Sequence, residues 1–351
     1  MKTIAILVPT IDSGGAEKQA VLLAARMSQY VNVHLIVLYG NHAESRSNLE
    51  ILSESSVCIH KLTGNLLKKI TSIYKNLKSC NTDVLFNYLS LPDVIGSFLG
   101  YCLNIRTYNG IRTTRLNYKK EFMERFAHNH WATGTIYNSF SGSMYFEKRG
   151  FNANKNTVIT NCFPQIANPI LRKEKKDKII ITVGRFDSSK DYETLIKSVS
   201  LLQRNDFKLC IVGYGALEEK IKGWVDEFGI KEKTVIHIKP NNVSELERNA
   251  DVYISTSLFE GTSNSIMEAL NWSLPVVATN VGDNDRLVID GKNGFLHAIG
   301  DTRGIAESLS ILLDSSELRN KMGVKSNQIL RENYSMEMFE NRYIDLIEGK
   351  K

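Results

Sequence analysis

The sequence is short of the residues that build metal centres, disulfide frameworks and membrane spans. Its 351 residues hold five cysteines, at positions 58, 80, 102, 162 and 210. They are odd in number and scattered, and no two stand as C-x-x-C, which argues against a zinc or redox motif and against a disulfide scaffold. Such usage suits a reducing compartment, the cytoplasm. Proline is scarce, six in all, and two of the six fall within "NCFPQIANPILRKEKKDK" at 161–178. Long apolar runs are missing: stretches such as "ATGTIY" and "LCIVG" are far shorter than the ~20 residues that cross a bilayer. The opening "MKTIAILVPT" carries one lysine and an apolar stretch. Pro9 and Asp12 follow at once without a small-residue cleavage site, so it reads as a first β-strand and not as a leader.

What is present is an ordinary globular composition, 42% apolar and 23% charged, in a length that suits two domains of roughly 150 residues each. The net charge of +6 is uneven. Residues 1–170 hold 18 Lys+Arg against 10 Asp+Glu, a net +8, and the remainder holds 26 against 28. Local clusters are "LLKKITSIYKNLK" (66–78) and "IRTTRLNYKK" (111–120). A basic face attracts anionic partners such as nucleic acid, anionic lipid or a phosphorylated substrate, although a cluster alone is equally a solvated helix face. Aromatic residues are poorly interleaved with the basic ones, so the nucleic-acid reading lacks support.

In the first half, apolar segments at 3–9, 33–39, 57–62, 83–88, 104–108, 133–138 and 157–160 alternate with helical patterns at 15–29, 65–79, 92–102, 119–129 and 140–149. Short apolar strands between amphipathic helices predict a parallel sheet covered on both faces. Residues 164–177 break this rhythm and read as a linker. The alternation restarts at 178–184 and runs to a helix ending near 332. The fold class is therefore α/β, with two doubly wound Rossmann-like domains facing across a cleft: residues 1–163 and residues 178–334. A last amphipathic helix, 335–351, is expected to cross back to the N-terminal domain, packing Met338, Tyr343, Ile344, Leu346 and Ile347 as one stripe. In such sheets ligands sit beyond the carboxyl ends of the strands.

Three stretches carry candidate chemistry. In "PTIDSGGAEKQAVLLAARM" (9–27), Gly14-Gly15 joins a strand to a helix whose N-terminus favours an anion. A plain turn reads equally well, and neither G-x-G-x-x-G nor G-K-[ST] is present there. In "TVGRFDSSKDYETLIKSVSLL" (182–202), Arg185 and Lys190 stand at the carboxyl end of a strand, after Gly184. Arginine grips phosphate with a planar fork and lysine with a mobile point charge. In "STSLFEGTSNSIMEALNWSLPVVATNVG" (255–282), Glu260 and Glu268 bracket Gly261, Thr262, Ser263, Asn264 and Ser265. That small-residue turn opens a helix and exposes backbone N–H groups. Ser265-x-x-Glu268 also matches a capping box, so Glu268 has a bland reading as a cap. Glu260 has none. Carboxylates accept hydrogen bonds from vicinal hydroxyls well, and two of them around an anion-binding turn suit a nucleotide-sugar.

With these stretches the chain resembles a retaining glycosyltransferase of the GT-B fold, family four, among the glycosyl transferases group 1. The glutamate–seven residues–glutamate pattern of that family stands here as Glu260-GTSNSIM-Glu268. "ADVYISTSLFEG", "EALNWSLPVVATNVG", "DGKNGFL", "VGRFDSSKDYETLIKSVSLL" and "LCIVGYGALEEKIK" resemble its surroundings. The likeness is close over residues 178–300 and looser in the first half.

The resemblance implies roles. Arg185 and Lys190 would neutralise the leaving diphosphate, Glu268 would hold the ribose and Glu260 the hydroxyls of the transferred sugar. Backbone of Gly261–Asn264, with Thr262 and Ser263, and of Gly14-Gly15 would meet phosphates and sugar. The loops after Gly213 and near Lys239-Pro240-Asn241 would meet the base. It also implies that no metal and no cofactor is needed, because cationic side chains and helix dipoles take the metal's place. Retention would follow from same-face attack assisted by the leaving phosphate. The chain departs from the family at Asn109, where many members carry a histidine. Arg106 or Arg112 would contact the acceptor.

The implied activity is a hexosyltransferase reaction, from a nucleotide-sugar to a glycan or lipid-linked glycan, in bacterial surface polysaccharide assembly such as lipopolysaccharide or capsule. Its implied place is the cytoplasmic face of the inner membrane, with the basic N-domain docking peripherally. Two other readings share the shape: a nucleotide-sugar epimerase, and a binding subunit of the same fold that has lost catalysis.

Overall fold

The computed structural model describes residues 1–12, 14–113 and 116–350. The chain divides into two compact units, Met1–Asn161 with Glu337–Lys351, and Cys162–Met336. Thr114 and Arg115 of the second basic cluster, Ser13 of the glycine turn and Lys351 lie outside the described residues.

The first unit alternates strand and helix: β1 (Thr3–Val8), α1 (Gly15–Met27), β2 (Asn32–Val37), α2 (Arg46–Ser53), β3 (Cys58–Lys61), α3 (Leu66–Ser79), β4 (Val84–Asn87), α4 (Ser90–Leu103), β5 (Arg106–Ile111), α5 (Tyr118–His130), β6 (Gly134–Tyr137), α6 (Phe140–Glu147) and β7 (Asn156–Val158). The sheet order is β3-β2-β1-β4-β5-β6-β7, and every pair is parallel, Ile4 lying between Val33 and Val84. β1 and β4 are buried at every position, as strands covered on both faces must be. Helix α2 was not expected. It is short and buries only Asn48 and Leu52, too little to give a helical period.

The second unit repeats the plan with β8 (Lys178–Arg185), α7 (Tyr192–Ser200), β9 (Phe207–Tyr214), α8 (Glu218–Glu227), β10 (Thr234–Ile238), α9 (Val243–Asn249), β11 (Val252–Ser255), α10 (Asn264–Asn271), β12 (Val276–Thr279), α11 (Asn284–Leu287), β13 (Gly294–His297), α12 (Thr302–Asp314) and α13 (Ser316–Tyr334). Its parallel sheet runs β10-β9-β8-β11-β12-β13. One apolar layer centres on Ile180, Leu209 and Leu309, the other on Ile181, Ile266 and Leu330, so neighbouring residues of β8 feed opposite faces.

Residues 164–177 form neither helix nor strand, and they are tied to the second unit. Ala167 N–H donates to Asn271 Oδ1 (2.7 Å) and Ile170 N–H to Ser273 Oγ (3.0 Å). The Arg172 guanidinium donates to the carbonyls of Trp272 (2.7 Å) and Ser273 (2.9 Å).

The last helix, α14 (Met336–Glu348), packs into the first unit, as its amphipathicity predicted, but with a shifted stripe. Phe339, Tyr343, Leu346 and Ile347 are buried, while Met338 and Ile344 are half-buried. The shift reflects the helical period, since 339, 343, 346 and 347 share one face. Its C-terminal carbonyls are satisfied by cations: Arg106 donates to Leu346 O (3.0 Å) and Ile347 O (2.7 Å), and Lys2 Nζ to Ile347 O (2.8 Å). Positive groups there also complement the helix dipole. Arg26 pairs with Glu340 on the same helix.

Candidate active site

The strand order of the second sheet reverses between β8 and β11, which opens a crevice beyond their carboxyl ends. The two loops that leave these strands carry Arg185, Lys190 and Glu260. They are laced together. Leu258 N–H donates to Ser189 O (2.8 Å), and Thr256 Oγ1 is 3.0 Å from Lys190 O and 2.8 Å from Asp191 O. Asp191 takes a left-handed conformation (φ 47°) and caps α7 through Thr194 N–H (3.3 Å). That sharp exit turns the Lys190 side chain back over the crevice. A Cβ on Gly184 would lie 3.2 Å from the Tyr192 hydroxyl, a tight contact, and 3.5 Å from Lys190 Cε, so the lysine stem packs directly over this glycine.

The Lys190 ammonium binds Glu260 Oε1, and Ser257 Oγ donates to the same oxygen at 2.8 Å. Both partners are shielded, at 20% and 14% side-chain exposure. The pair is oriented and only partly desolvated, and each half is within reach of a competing ligand group: an anion for Lys190, a hydroxyl for Glu260. Arg185 is different. Its side chain is 77% exposed, with Asp187 3.6 Å from its Nε.

Glu260 leads into the turn Gly261–Ser263 and helix α10. The intrahelical ladder starts at Met267 N–H to Ser263 O (3.1 Å), so the N–H groups of Asn264, Ser265 and Ile266 precede it and point out of the helix end. The turn is backed by the loop after β12. Thr262 Oγ1 donates to Asp283 Oδ2 (2.8 Å) and Asp283 N–H to Gly261 O (3.2 Å). Gly282 is at φ +60°, and a Cβ there would fall 2.2 Å from Glu260 O. Only glycine lets the two loops stack. Asp283-Asn284-Asp285 has the aspartate–x–aspartate spacing of a metal-holding pair. Asp283 and Asn284 are buried, however, and Asp283 serves the turn.

The capping-box reading of Glu268 does not survive. Ser263 is the N-cap of α10, so Ser265 and Glu268 both lie inside the helix. Glu268 lines a cavity of about 740 Å³ with Asn271 at the end of α10 and Trp272 just after it, Val243, Ser244 and Glu247 of α9, and Phe163, Gln165, Ile166, Ala167 and Asn168. Glu260 is not in that wall, so the two glutamates serve different places on either side of the helix start. The volume suits a small organic ligand.

Glu247 escaped sequence reasoning. "SELERNAD" reads as an exposed charged helix, yet Glu247 is 2% exposed and its Oε1 has no partner among the described residues. Burial, and then the charge of Glu268, push its carboxyl up to about 8. It stands in the cavity as a protonated acid, able to donate a hydrogen bond where Glu268 accepts. Gly213 has a packing reason: it pairs with Gly184, and a Cβ would sit 1.9 Å from Gly184 O.

In the first unit the strand order reverses between β1 and β4. Pro9, Leu89, Asp93, Arg112, Lys120 and Glu124 are among the residues that line a cavity of about 530 Å³ there. Asp93 and Glu124 are buried together. Desolvation pushes Asp93 up to about 7, and desolvation with the Asp93 charge raises Glu124 well above the carboxylate range. Arg112 Nη2 donates to Tyr343 OH (2.9 Å) and Tyr88 OH (3.2 Å), while its Nε and Nη1 are buried without partners among the described residues.

Two expectations in this unit are corrected. Asn109 is fully buried, and its Oδ1 accepts from Asn87 Nδ2 (3.0 Å) and Ser97 Oγ (2.7 Å). It fastens β5 to β4 and α4, and its buried Nδ2 has no partner among the described residues. Arg106 is spent on the α14 carbonyls. Gly14 precedes α1 as its N-cap and Gly15 opens the helix. Glu17 folds back over Gly14, and the space above Gly15 is open.

Comparison with known proteins accords with this arrangement. Residues 165–329 match the family described as glycosyl transferases group 1. An uncharacterized glycosyltransferase of Haemophilus influenzae is 25% identical over 96% of this chain and 97% of its own. A Campylobacter jejuni enzyme is 22% identical over 92% of each chain. It is described as a GalNAc-alpha-(1->4)-GalNAc-alpha-(1->3)-diNAcBac-PP-undecaprenol alpha-1,4-N-acetyl-D-galactosaminyltransferase. Among solved structures, Anabaena HepE in complex with UDP superimposes with a TM-score of 0.82 at 16% identity, covering 99% of this chain and all of its own. Residues 165–329 thus carry the glycosyl transferases group 1 pattern, and the chain has the fold of two Rossmann-like domains seen in its GT-B structural neighbours.

Proposed function

We propose that the protein is a retaining, metal-independent glycosyltransferase that moves a hexose from a nucleoside diphosphate sugar to a lipid-linked glycan. The observation that carries this is the Lys190–Glu260 pair at the start of α10, on the crevice side of a cavity-lining helix that bears Glu268. The diphosphate takes Lys190, Arg185 and the α10 N-terminus. This frees Glu260 to accept hydroxyls of the sugar, with Thr262, Ser263 and Asn264 alongside. The ribose lies against Glu268, with protonated Glu247 as donor. As charge builds on the leaving phosphate, preorganised cations and N–H groups stabilise it without solvent rearrangement. HepE binds UDP, which makes a uridine donor the first to test.

The acceptor belongs in the first-unit cavity, where Arg112 offers unpartnered N–H groups to an anion and Asp93 and Glu124 offer hydrogen bonds to hydroxyls. The Campylobacter relative acts on a diphospho-undecaprenol-linked glycan, and an acceptor of that chemistry draws the enzyme to an anionic leaflet, here the cytoplasmic face of a bacterial inner membrane.

The test is a calorimetric titration with UDP, GDP and ADP in EDTA. One nucleotide is expected to bind the wild type, and Arg185→Ala/Lys190→Ala to weaken it ~100-fold or more, two charge-assisted contacts being lost. Undiminished binding by the double variant would place the phosphates elsewhere.

A further inference from the structure

The five cysteines showed no zinc spacing in sequence, but the fold gathers two of them with two histidines at the outer edge of the first sheet. In the β2–β3 register His34 pairs with Cys58 and Ile36 with His60. Side chains two apart share a face, and this is the face on which Ile36 packs with Leu62, Ile73 and Leu77 of the α3 layer. Helix α3 ends at Ser79 with Cys80 as its C-cap, which swings the Cys80 thiol over His34. His34 Nδ1 lies 3.0 Å from His60 Nε2, Cys58 Sγ 3.5 Å from that Nε2, and Cys80 Sγ 3.6 Å from His34 Nδ1.

We propose that His34 Nδ1, His60 Nε2 and Cys58 Sγ form a binding site for a thiophilic divalent cation, Zn²⁺, with Cys80 Sγ, 3.6 Å from His34 Nδ1, turning in as the fourth ligand. Zinc holds nitrogen at about 2.0–2.1 Å and sulfur at about 2.3 Å in a tetrahedron, which sets N···N near ~3.3 Å and N···S near ~3.6 Å. The observed separations, 3.0, 3.5 and 3.6 Å, fall within a few tenths of these. The ligand atoms of His34, Cys58 and His60 all lie within 4.8 Å of one another. Neither Cys58 nor Cys80 is in a disulfide among the described residues. The ion would fasten β3, a four-residue edge strand, to β2 and to the end of α3. It lies at the β3–β2 edge of the sheet, and none of its four residues lines the first-unit cavity, so its role is structural and separate from sugar transfer.

The test uses the full, untagged chain, reduced and stripped with chelator. Cobalt is expected to bind one equivalent and give a thiolate-to-metal charge-transfer band with the intense visible absorption of a tetrahedral site. Zinc should displace it stoichiometrically and raise Tm. Cys58→Ser/Cys80→Ser should abolish the charge-transfer band with an unchanged circular dichroism spectrum and unchanged UDP binding. His60→Ala should weaken zinc at least ~100-fold, more than an outer contact costs. A wild type without the band, or a double variant that keeps it, overturns the site.

Discussion

At the residue scale the active-site chemistry rests on ionisable groups whose surroundings differ. Lys190 and Glu260 hold each other in a shielded pair, and a donor must compete for both. Glu247 is buried with a raised carboxyl at about 8, against 4.5 ordinarily. The folded state therefore binds a proton that the unfolded chain releases. This contribution to stability is complete below about pH 4.5 and is lost as pH rises through about 8. Glu247→Gln has no such proton. Between pH 5 and 8.5 the wild type is expected to lose on the order of 3 kcal/mol relative to this variant, each tenfold difference in proton affinity between folded and unfolded states being worth about 1.36 kcal/mol. Urea unfolding followed by tryptophan emission reports this, since Trp224 and Trp272 both lie in the second unit. A difference that stays flat with pH would mean that Glu247 is ionised in the fold.

At the element scale, function depends on loops held by one another more than on any single helix. The Gly282 loop supports the backbone of Glu260, and nothing larger than hydrogen fits between them. Gly282→Ala pairs a strained left-handed residue with a steric overlap, so it should cost ~1–3 kcal/mol. It should also lower kcat ~100-fold or more by displacing Glu260 from Lys190. An alanine variant with normal turnover would show that Glu260 need not be held. Helix α14 illustrates a second element-scale point. The family resemblance implied Arg106 or Arg112 as an acceptor contact; Arg106 opens β5 and Arg112 follows its last residue. Arg106 instead caps α14, and Arg112 divides itself between two tyrosines and the cavity.

At the scale of the whole molecule, the positive first unit is where a lipid-linked acceptor and its membrane would be met. The fold changes which face does this. On α3, Lys69 turns inward over the Tyr39 ring, 4.3 Å from its centroid, leaving Lys68, Lys75 and Lys78 outside. On α5, Tyr118, Phe122 and Phe126 form an exposed stripe with Lys119 and Lys120 beside it, and Phe98 and Tyr101 of α4 are exposed as well. The sequence suggested little mixing of aromatic and basic residues, but the helical period brings them together. No helix among the described residues is long and apolar enough to cross a membrane; an amphipathic aromatic–basic face is the kind that lies in a membrane interface, and the proposed membrane contact is assigned to it. Phe122→Asp/Phe126→Asp is expected to reduce cosedimentation with phosphatidylserine vesicles at least ~10-fold, and added salt should weaken the wild type. Equal binding by the variant, or a preference for DNA over vesicles, would sink the membrane reading.

The sequence by itself determined the architecture, because strand and helix periods are local. Seven short apolar strands with helices between them can bury both faces only as a parallel sheet, and the same alternation recurs after residue 178. It also located Arg185, Lys190, Glu260 and Glu268, since a glutamate-flanked glycine turn after a strand is a contiguous pattern. What only the tertiary structure decided depends on register and packing between distant segments. It buried Asn109 beneath α4, turned Glu247 into a cavity and moved Arg106 to a helix end. It also brought His34, Cys58, His60 and Cys80 within a few ångströms across two strands and a helix terminus. None of these follows from spacing along the chain, because each is fixed by which face of a strand meets which helix.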